Sequence, residues 1–319
     1  MARRQVRDTR ATVRDGRPTP SATETEIDGA IKRVVLHQSA VALAESSVVS
    51  PSAPLPQGYE ERFQVVLPYS GLFSYRTGSR TVTCDSNQLL FVRPGVEFVD
   101  VHPVANLGHA SVIITPDRQV LDEVCGPGGA TGHAAFADGS RLSTASTHVA
   151  LNSILQFADR MTAPIEREEI VISALLEALQ TKRQDVRPAR KVVMRAKEVI
   201  HAHANQPLTL RDVAADVGVN AAYLTEQFTL CEGMPLFRYI LRLRLARALR
   251  ELPHCESLTD LALSLGFSSH SHFSFAFRKA FGMSPSRYQK RSLGLVQLSA
   301  LITSGAEQLS TKLRSPPKH

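Results

Sequence analysis

Apolar and polar positions change rhythm along the chain. From Phe63 onward, short β-prone runs (Phe63–Leu67, Leu72–Tyr75, Thr81–Thr83, Leu89–Val92, Phe98–Val101 and Val112–Ile114) are separated by turn signals at Ser70-Gly71, Thr77-Gly78, Asp85-Ser86-Asn87 and Pro94-Gly95. Strands this short and this regularly interrupted predict a β-sandwich or small barrel, whose mouth can hold one small ligand. Residues 121–140, rich in Gly, Ala and Asp, read as loop. The period then becomes helical. Leu151, Ile154, Leu155 and Ala158 follow the i, i+3, i+4, i+7 template, and Ile170, Ala174, Leu175, Ala178 and Leu179 form a second stripe after Pro164. Two such helices cover the barrel or pair with another subunit, and the pattern allows both.

The last third contains a duplication. Thr209, Asp212, Ala214 and Gly218 recur at the same intervals as Ser257, Asp260, Ala262 and Gly266, an offset of 48 residues. Phe228, Gly233-Met234 and Tyr239 recur as Phe277, Gly282-Met283 and Tyr288, at an offset of 49. Thr209 and Ser257 are N-cap candidates, with an acidic residue three positions on where a capping box needs it. Ala214 and Ala262 are small enough for a second helix to cross closely. Gly218 and Gly266 stand where the first helix must stop in a left-handed turn. A second helix follows each turn, about Ala221–Leu230 and about Ser269–Phe281, anchored by Leu224 and Phe228 and by Phe273 and Phe277. Helix, glycine turn, helix is the helix-turn-helix unit. Between the two copies, Phe237–Leu252 carries a helical apolar stripe and five arginines. At ~1.5 Å per residue it spans roughly 24 Å, suited to holding two reading helices near one DNA turn, ~34 Å, apart.

Charge sharpens this picture. The 319 residues carry a net +7, but residues 58–187 sum to −4 and residues 188–290 to +6. An acidic middle followed by a basic third suits a module that meets small ligands or protein, then one that meets a polyanion. Hydrophobic residues are 43% and charged residues 21%, which excludes whole-chain disorder. No apolar run is long enough to span a membrane, and no apolar stretch follows the arginine-rich start, so a secretory signal is not expected. Cys84, Cys125, Cys231 and Cys255 form no CxxC pair, so neither a disulfide framework nor a zinc knuckle is indicated. Arg3, Arg4, Arg7, Arg10, Arg14 and Arg17 sit without apolar periodicity in a segment expected to be a solvated tail or a DNA-touching arm. The Pro-rich residues 50–57 suit neither helix nor central strand.

The run from Leu265 to Tyr288 (LGFSSHSHFSFAFRKAFGMSPSRY), with the duplication before it, resembles the DNA-binding domain of the AraC/XylS family of bacterial transcription regulators over about Val192 to Lys290. The 60–180 region is similar in placement and strand pattern to that family's cupin-like sensor domain. The resemblance implies an α+β chain of two domains: an N-terminal cupin-like barrel with a helical hairpin, and an all-α domain with two helix-turn-helix units. The expected boundaries are a flexible tail at 1–57, an effector and dimerisation domain at 58–183, a linker at 184–192, the DNA-binding domain at 193–291 and a tail at 292–319. It further implies a cytoplasmic, homodimeric, effector-responsive activator that binds double-stranded DNA and contacts RNA polymerase, with no cofactor and no enzymatic activity.

By family alignment the base-facing positions are Ala222, Thr225 and Glu226 in the first recognition helix and His270, Ser271, Ser274 and Phe275 in the second. Glu can accept from cytosine N4, Thr can donate or accept, and Ala can meet a thymine methyl. The family usually carries arginine where Phe275 stands; Phe cannot bond guanine, which implies either that this helix lacks sequence-specific readout or that its half-site is T-rich. Arg278, Lys279, Arg287 and Lys290 read as phosphate contacts, and Ser269 brings a backbone N–H toward phosphate. In the barrel, Tyr69, Phe73, Tyr75, Phe91 and Arg93 are pocket candidates. His102 and His109, with Glu97 and Asp100 nearby, lack the His-x-His run of metal-dependent cupins, so no metal site is expected. The alternatives are a metal-dependent cupin enzyme fused to a DNA-binding module, and a ligand-independent regulator whose barrel serves only as a dimerisation scaffold.

Overall fold

The computed structural model describes residues 24–27, 31–51, 57–104, 107–125, 135–157, 163–181, 190–203, 206 and 208–292. The chain divides into two compact units, Met1–Arg141 and Leu142–His319. The first is antiparallel β and the second is helical, which gives the expected two-part α+β architecture.

Among the described residues the β unit has two sheets. Its strands are β1 (Glu24–Ile27), β2 (Ile31–Gln38), β3 (Ala42–Val49), β4 (Gln57–Gly58), β5 (Gln64–Ser70), β6 (Phe73–Thr77), β7 (Arg80–Cys84), β8 (Gln88–Val92), β9 (Phe98–Val101), β10 (His109–Pro116) and β11 (Ser140–Leu142). One sheet runs β1-β2-β3-β10-β5-β8-β11 and the other β4-β9-β6-β7. The inward faces meet in a cluster of Val66, Phe73, Tyr75, Cys84, Leu90, Val92 and Ile113. On the outer face, Phe63 and Phe91 pack edge-on against Phe136, at 4.8 and 5.5 Å between ring centres.

Two expectations are corrected here. Residues 1–57 are not all tail: β1, β2 and β3 lie within them, and β3 pairs with the central strand β10 along its whole length. The β2–β3 turn contains no Gly, Pro or Asn. Ser39 makes it instead, its Oγ accepting from Val41 N–H at 3.1 Å while its own N–H donates to the Ala42 carbonyl. Nor is 121–140 all loop. Helix α1 (Arg118–Cys125) buries Leu121 and is braced by an exposed Arg118–Asp122 pair one turn apart. The arginine arm, Ala158, residues 184–189 of the expected linker and the tail beyond Ser292 lie outside the described residues.

The helical unit contains α2 (Ala145–Leu155), α3 (Pro164–Gln180), α4 (Lys191–Ala202), α5 (Leu210–Val217), α6 (Ala221–Glu232), α7 (Leu236–Glu251), α8 (Leu258–Ser264), α9 (His270–Phe281) and α10 (285–292). Its two cores follow the sequence duplication. Val193, Ile200, Val213, Leu224, Phe228 and Tyr239 build the first around α4, α5 and α6. Leu245, Leu249, Leu261, Phe273 and Phe277 build the second around α7, α8 and α9. The α2–α3 hairpin, expected to belong with the barrel, is part of this second unit. Arg242 donates to the Ser143 carbonyl, and Asn152 Nδ2 donates to Tyr288 Oη at 3.3 Å, so the segment around α2 bonds with both halves of the duplication.

Candidate nucleic-acid interface

Matched local chemistry builds the two helix-turn-helix units. Thr209 caps α5 with a complete box: its Oγ1 accepts from Asp212 N–H, and Asp212 accepts from Thr209 N–H at 2.9 Å. That bonding holds the Asp212 carboxyl below the usual carboxylate range. Ser257 caps α8 through Asp260 N–H at 3.2 Å. The turns then close identically. Val219 N–H reaches the Ala214 carbonyl and Phe267 N–H reaches the Ala262 carbonyl, each at 3.0 Å. Both closures need a left-handed residue, supplied by Gly218 at φ 77° and Gly266 at φ 82°. A Cβ on Gly266 would stand 2.7 Å from the Arg244 guanidinium, which itself donates to the Gly266 carbonyl at 2.7 Å.

The recognition helices start at side-chain caps. Asn220 Oδ1 accepts from Tyr223 N–H at 2.8 Å and Ser269 Oγ from His272 N–H at 3.1 Å. Leu224 and Phe228 hold α6 into the first core; Phe273 and Phe277 hold α9 into the second, all fully buried. Such anchors are worth roughly 3–5 kcal/mol per aromatic side chain removed, so both helices are held firmly.

The opposite faces carry the sequence-derived base candidates. Ala222, Glu226, Ser271 and Phe275 are exposed, Phe275 at 69%. Thr225, His270 and Ser274 are half-buried, for a shared reason. Thr225 Oγ1 donates to the Ala221 carbonyl one turn back, and His270 Nε2 bonds Ser274 Oγ at 3.2 Å in the equivalent place of α9. Thr225 therefore presents an acceptor rather than a donor. Tyr223, 40% exposed on α6, was not singled out from the sequence, since an aromatic beside the anchor positions reads as core. Ser269, Arg278, Lys279, Arg287 and Lys290 are all exposed. The arginines of α7 act differently. Arg242 and Arg244 hold backbone carbonyls, and Arg247 pairs with Glu251 on the same helix. Burial lowers the Arg244 pKa.

Beneath the first unit lies a buried ion pair. Lys197 Nζ is 3.3 Å from both Glu232 carboxylate oxygens and 5.4 Å from the Tyr239 ring centre.

In the β unit, a partly open cavity lies between the sheets. Strand register decides its lining. Ser47 pairs with both Arg33 and Ser111, which sets those three side by side across β2, β3 and β10, and Tyr75 pairs with Asp100 across β6 and β9. Of the expected pocket residues, Phe73 and Tyr75 line it. Tyr69, Phe91 and Arg93 do not: Phe91 sits one residue out of phase with Leu90 and Val92 and faces Phe136, Tyr69 bonds Ser46 at 3.0 Å, and Arg93 is exposed. Sequence reading missed Arg33, Glu60 and Gln64. His109 Nδ1 lies 2.9 Å from His102 Nε2, and burial with that neighbour lowers the His109 pKa to about 3. Among the described residues no three His, Cys, Asp or Glu side chains group to hold a metal, and no helix is long and apolar enough to cross a membrane.

Two capped, glycine-turned helix pairs on their own cores, with polar and basic outer faces, define a tandem helix-turn-helix domain of the DNA-binding type. Comparison with known proteins agrees. Residues 213–291 match a helix-turn-helix domain family. The regulatory protein SoxS of Salmonella typhimurium is 34% identical over 103 residues, 32% of this chain and 96% of that protein. The Msm operon regulatory protein of Streptococcus mutans is 28% identical over 148 residues, 43% of this chain and 53% of that protein. A crystal structure of a transcriptional regulator with an AraC-type DNA-binding domain from Chromobacterium violaceum is 31% identical, covering 32% of this chain and 91% of that one, at a TM-score of 0.30. The chain belongs to the AraC/XylS family of transcriptional regulators. It spans about half the length of the Msm regulator and 38% of a second relative, the probable thc operon regulatory protein of Rhodococcus erythropolis.

Proposed function

We propose that this regulator is effector-responsive and dimeric. It reads two successive major grooves with α6 and α9, contacts RNA polymerase as an activator, and works in the cytoplasm. The observation that carries the reading is the equivalence of the two recognition helices. Each begins at a side-chain cap, is pinned by two buried anchors four residues apart, and turns an exposed face outward from its first turn. Helices of this kind present N-terminal residues to base edges. Ala222, Thr225 and Glu226, and His270, Ser271, Ser274 and Phe275, read bases; Ser269, Arg278, Lys279, Arg287 and Lys290 hold phosphates. The cavity between the sheets, lined by Phe73, Tyr75 and a set of buried polar groups, is the effector site. An effector acts by binding one arrangement of the two units better than another.

The test is DNA binding by the full chain to its own upstream region and to scrambled DNA across a salt series. Preference for the upstream region that survives ~150 mM salt supports sequence-specific recognition, with the slope counting phosphate contacts. Equal, salt-labile binding to both DNAs, or none, overturns it.

A further inference from the structure

The cavity between the sheets holds more polar chemistry than packing requires. Asp100 is 8% exposed and lines it, yet its Oδ1 has no hydrogen-bond partner. The Nε of Arg33 and the Oγ of Ser111, on the facing sheet, are also buried and unpartnered. A buried polar atom left unpaired costs ~1–3 kcal/mol, more for a charged group, so three lining one cavity point to a ligand that completes them. Glu60 shares the lining, its carboxylate held by Gln64 Nε2 at 3.0 Å. Two acids thus face one guanidinium, because His109, on the same wall, titrates near 3 and is neutral. With both acids ionised, the described lining is short of one cation. The apolar part of the lining is flat: Tyr75 stacks on Phe98 at 5.0 Å and Phe73 on His109 at 4.2 Å.

We propose that the effector is a small organic ammonium ion with a flat apolar body. The ammonium pairs with Asp100 beside Glu60, the body lies against Tyr75, Phe98 and Phe73, and an acceptor atom meets Arg33 and Ser111. This rests on the reading of the cavity as the effector site and names the class of molecule it takes. An ammonium buried here gains a desolvated carboxylate partner and aromatic faces, the two surroundings that offset its loss of water. Neutral and anionic molecules of the same shape leave the acid pair uncompensated. The unliganded cavity already shows that strain, since burial and Glu60 push Asp100 up to about 7.

The groups around Asp100 are Tyr75 from β6, Glu60 from the loop before β5, Gln64 from β5, His109 from β10 and Arg33 from β2, with His102, its pKa lowered by burial, behind His109. Tyr75, raised by burial and by Asp100, and His109 both keep one protonation state between pH 6 and 8. A rise in cation affinity over that range therefore follows Asp100.

The experiment uses the full chain and three probes with the same ring: 2-phenylethylamine, 2-phenylethanol and phenylacetate, each at about 10 mM. Thermal unfolding is followed at pH 6 and pH 8. The expected result is a rise of about 3 °C with the amine alone, larger at pH 8, since a ligand that binds only the folded state must stabilise it. Asp100→Asn and Glu60→Gln should each weaken amine binding about tenfold by calorimetry. Equal shifts with the alcohol or the acid, or amine binding unchanged in Asp100→Asn, overturn the cation while leaving an effector cavity standing. No shift with any probe overturns the cation as well. The regulator itself is judged separately, by the DNA-binding series.

Discussion

Replacing Lys197 by Met removes the positive charge opposite the Glu232 carboxylate in a place water does not reach. Lys197 is fully buried and Glu232 4% exposed, and Nζ sits equidistant from both carboxylate oxygens. Removing one partner of a buried pair costs ~3–5 kcal/mol, because the remaining charge keeps its desolvation cost without the compensating field. Total stability of a domain is only ~5–15 kcal/mol, so the loss is a large share. At ~1.4 kcal/mol per tenfold, amide protection in α4 and α6 should fall by about 10²-fold to a few times 10³-fold. Hydrogen exchange suits the question because it reads α4 and α6 directly and the chain has no tryptophan to report on them. The double variant Lys197→Met/Glu232→Leu should regain most of the loss, since an apolar pair of similar volume replaces the ion pair at little cost. Protection changed less than threefold in the single variant, or a double variant as weak as the single, would refute the argument.

Gly266→Ala should lower Tm by more than Gly218→Ala. Both force a left-handed alanine, at ~1–2 kcal/mol, but only at 266 does the new Cβ meet a guanidinium, while the space at 218 is open. Asp100→Asn should change the pH profile of unliganded stability. The folded carboxyl titrates near 7 against an ordinary 3.8, so from about pH 4 to 7 the native state binds the extra proton and wild-type stability falls as pH rises. The variant should lack that decline in urea titrations at pH 5 and 8, and an unchanged slope would count against Asp100. For DNA binding, Phe275→Ala should weaken affinity for the preferred site with no change in salt slope, whereas Arg278→Ala should lower the slope by ~1 and weaken all sequences alike.

The helical unit was legible because its rules are local. A cap, a left-handed glycine and two anchors lie within about twenty residues of each other, and their repetition excludes coincidence. The predicted helices Ala221–Leu230 and Ser269–Phe281 differ from the observed ones by only a residue or two at an end. The barrel was half legible. Its middle strands are punctuated by Gly, Pro and Asn, but β2 and β3 join through a serine turn that composition does not mark. Losing those strands lost Arg33 and Ser47, and with them one wall of the cavity. Phe91 and Tyr69 were misplaced because strand parity is fixed by register, a long-range property invisible in a run of apolar residues. The partner of α2 was hidden likewise: its apolar stripe says that it packs, not against what.

The docking of the α2 segment changes what a cut chain would do. Ser143 and Asn152 are tied to Arg242 and Tyr288, contacts that reach across about 99 and 136 residues of sequence. A cut between α3 and α4 would leave these bonds to be made between two pieces instead of within one chain. Two pieces, one ending near Thr181 and the other starting near Arg190, should find each other and reassemble.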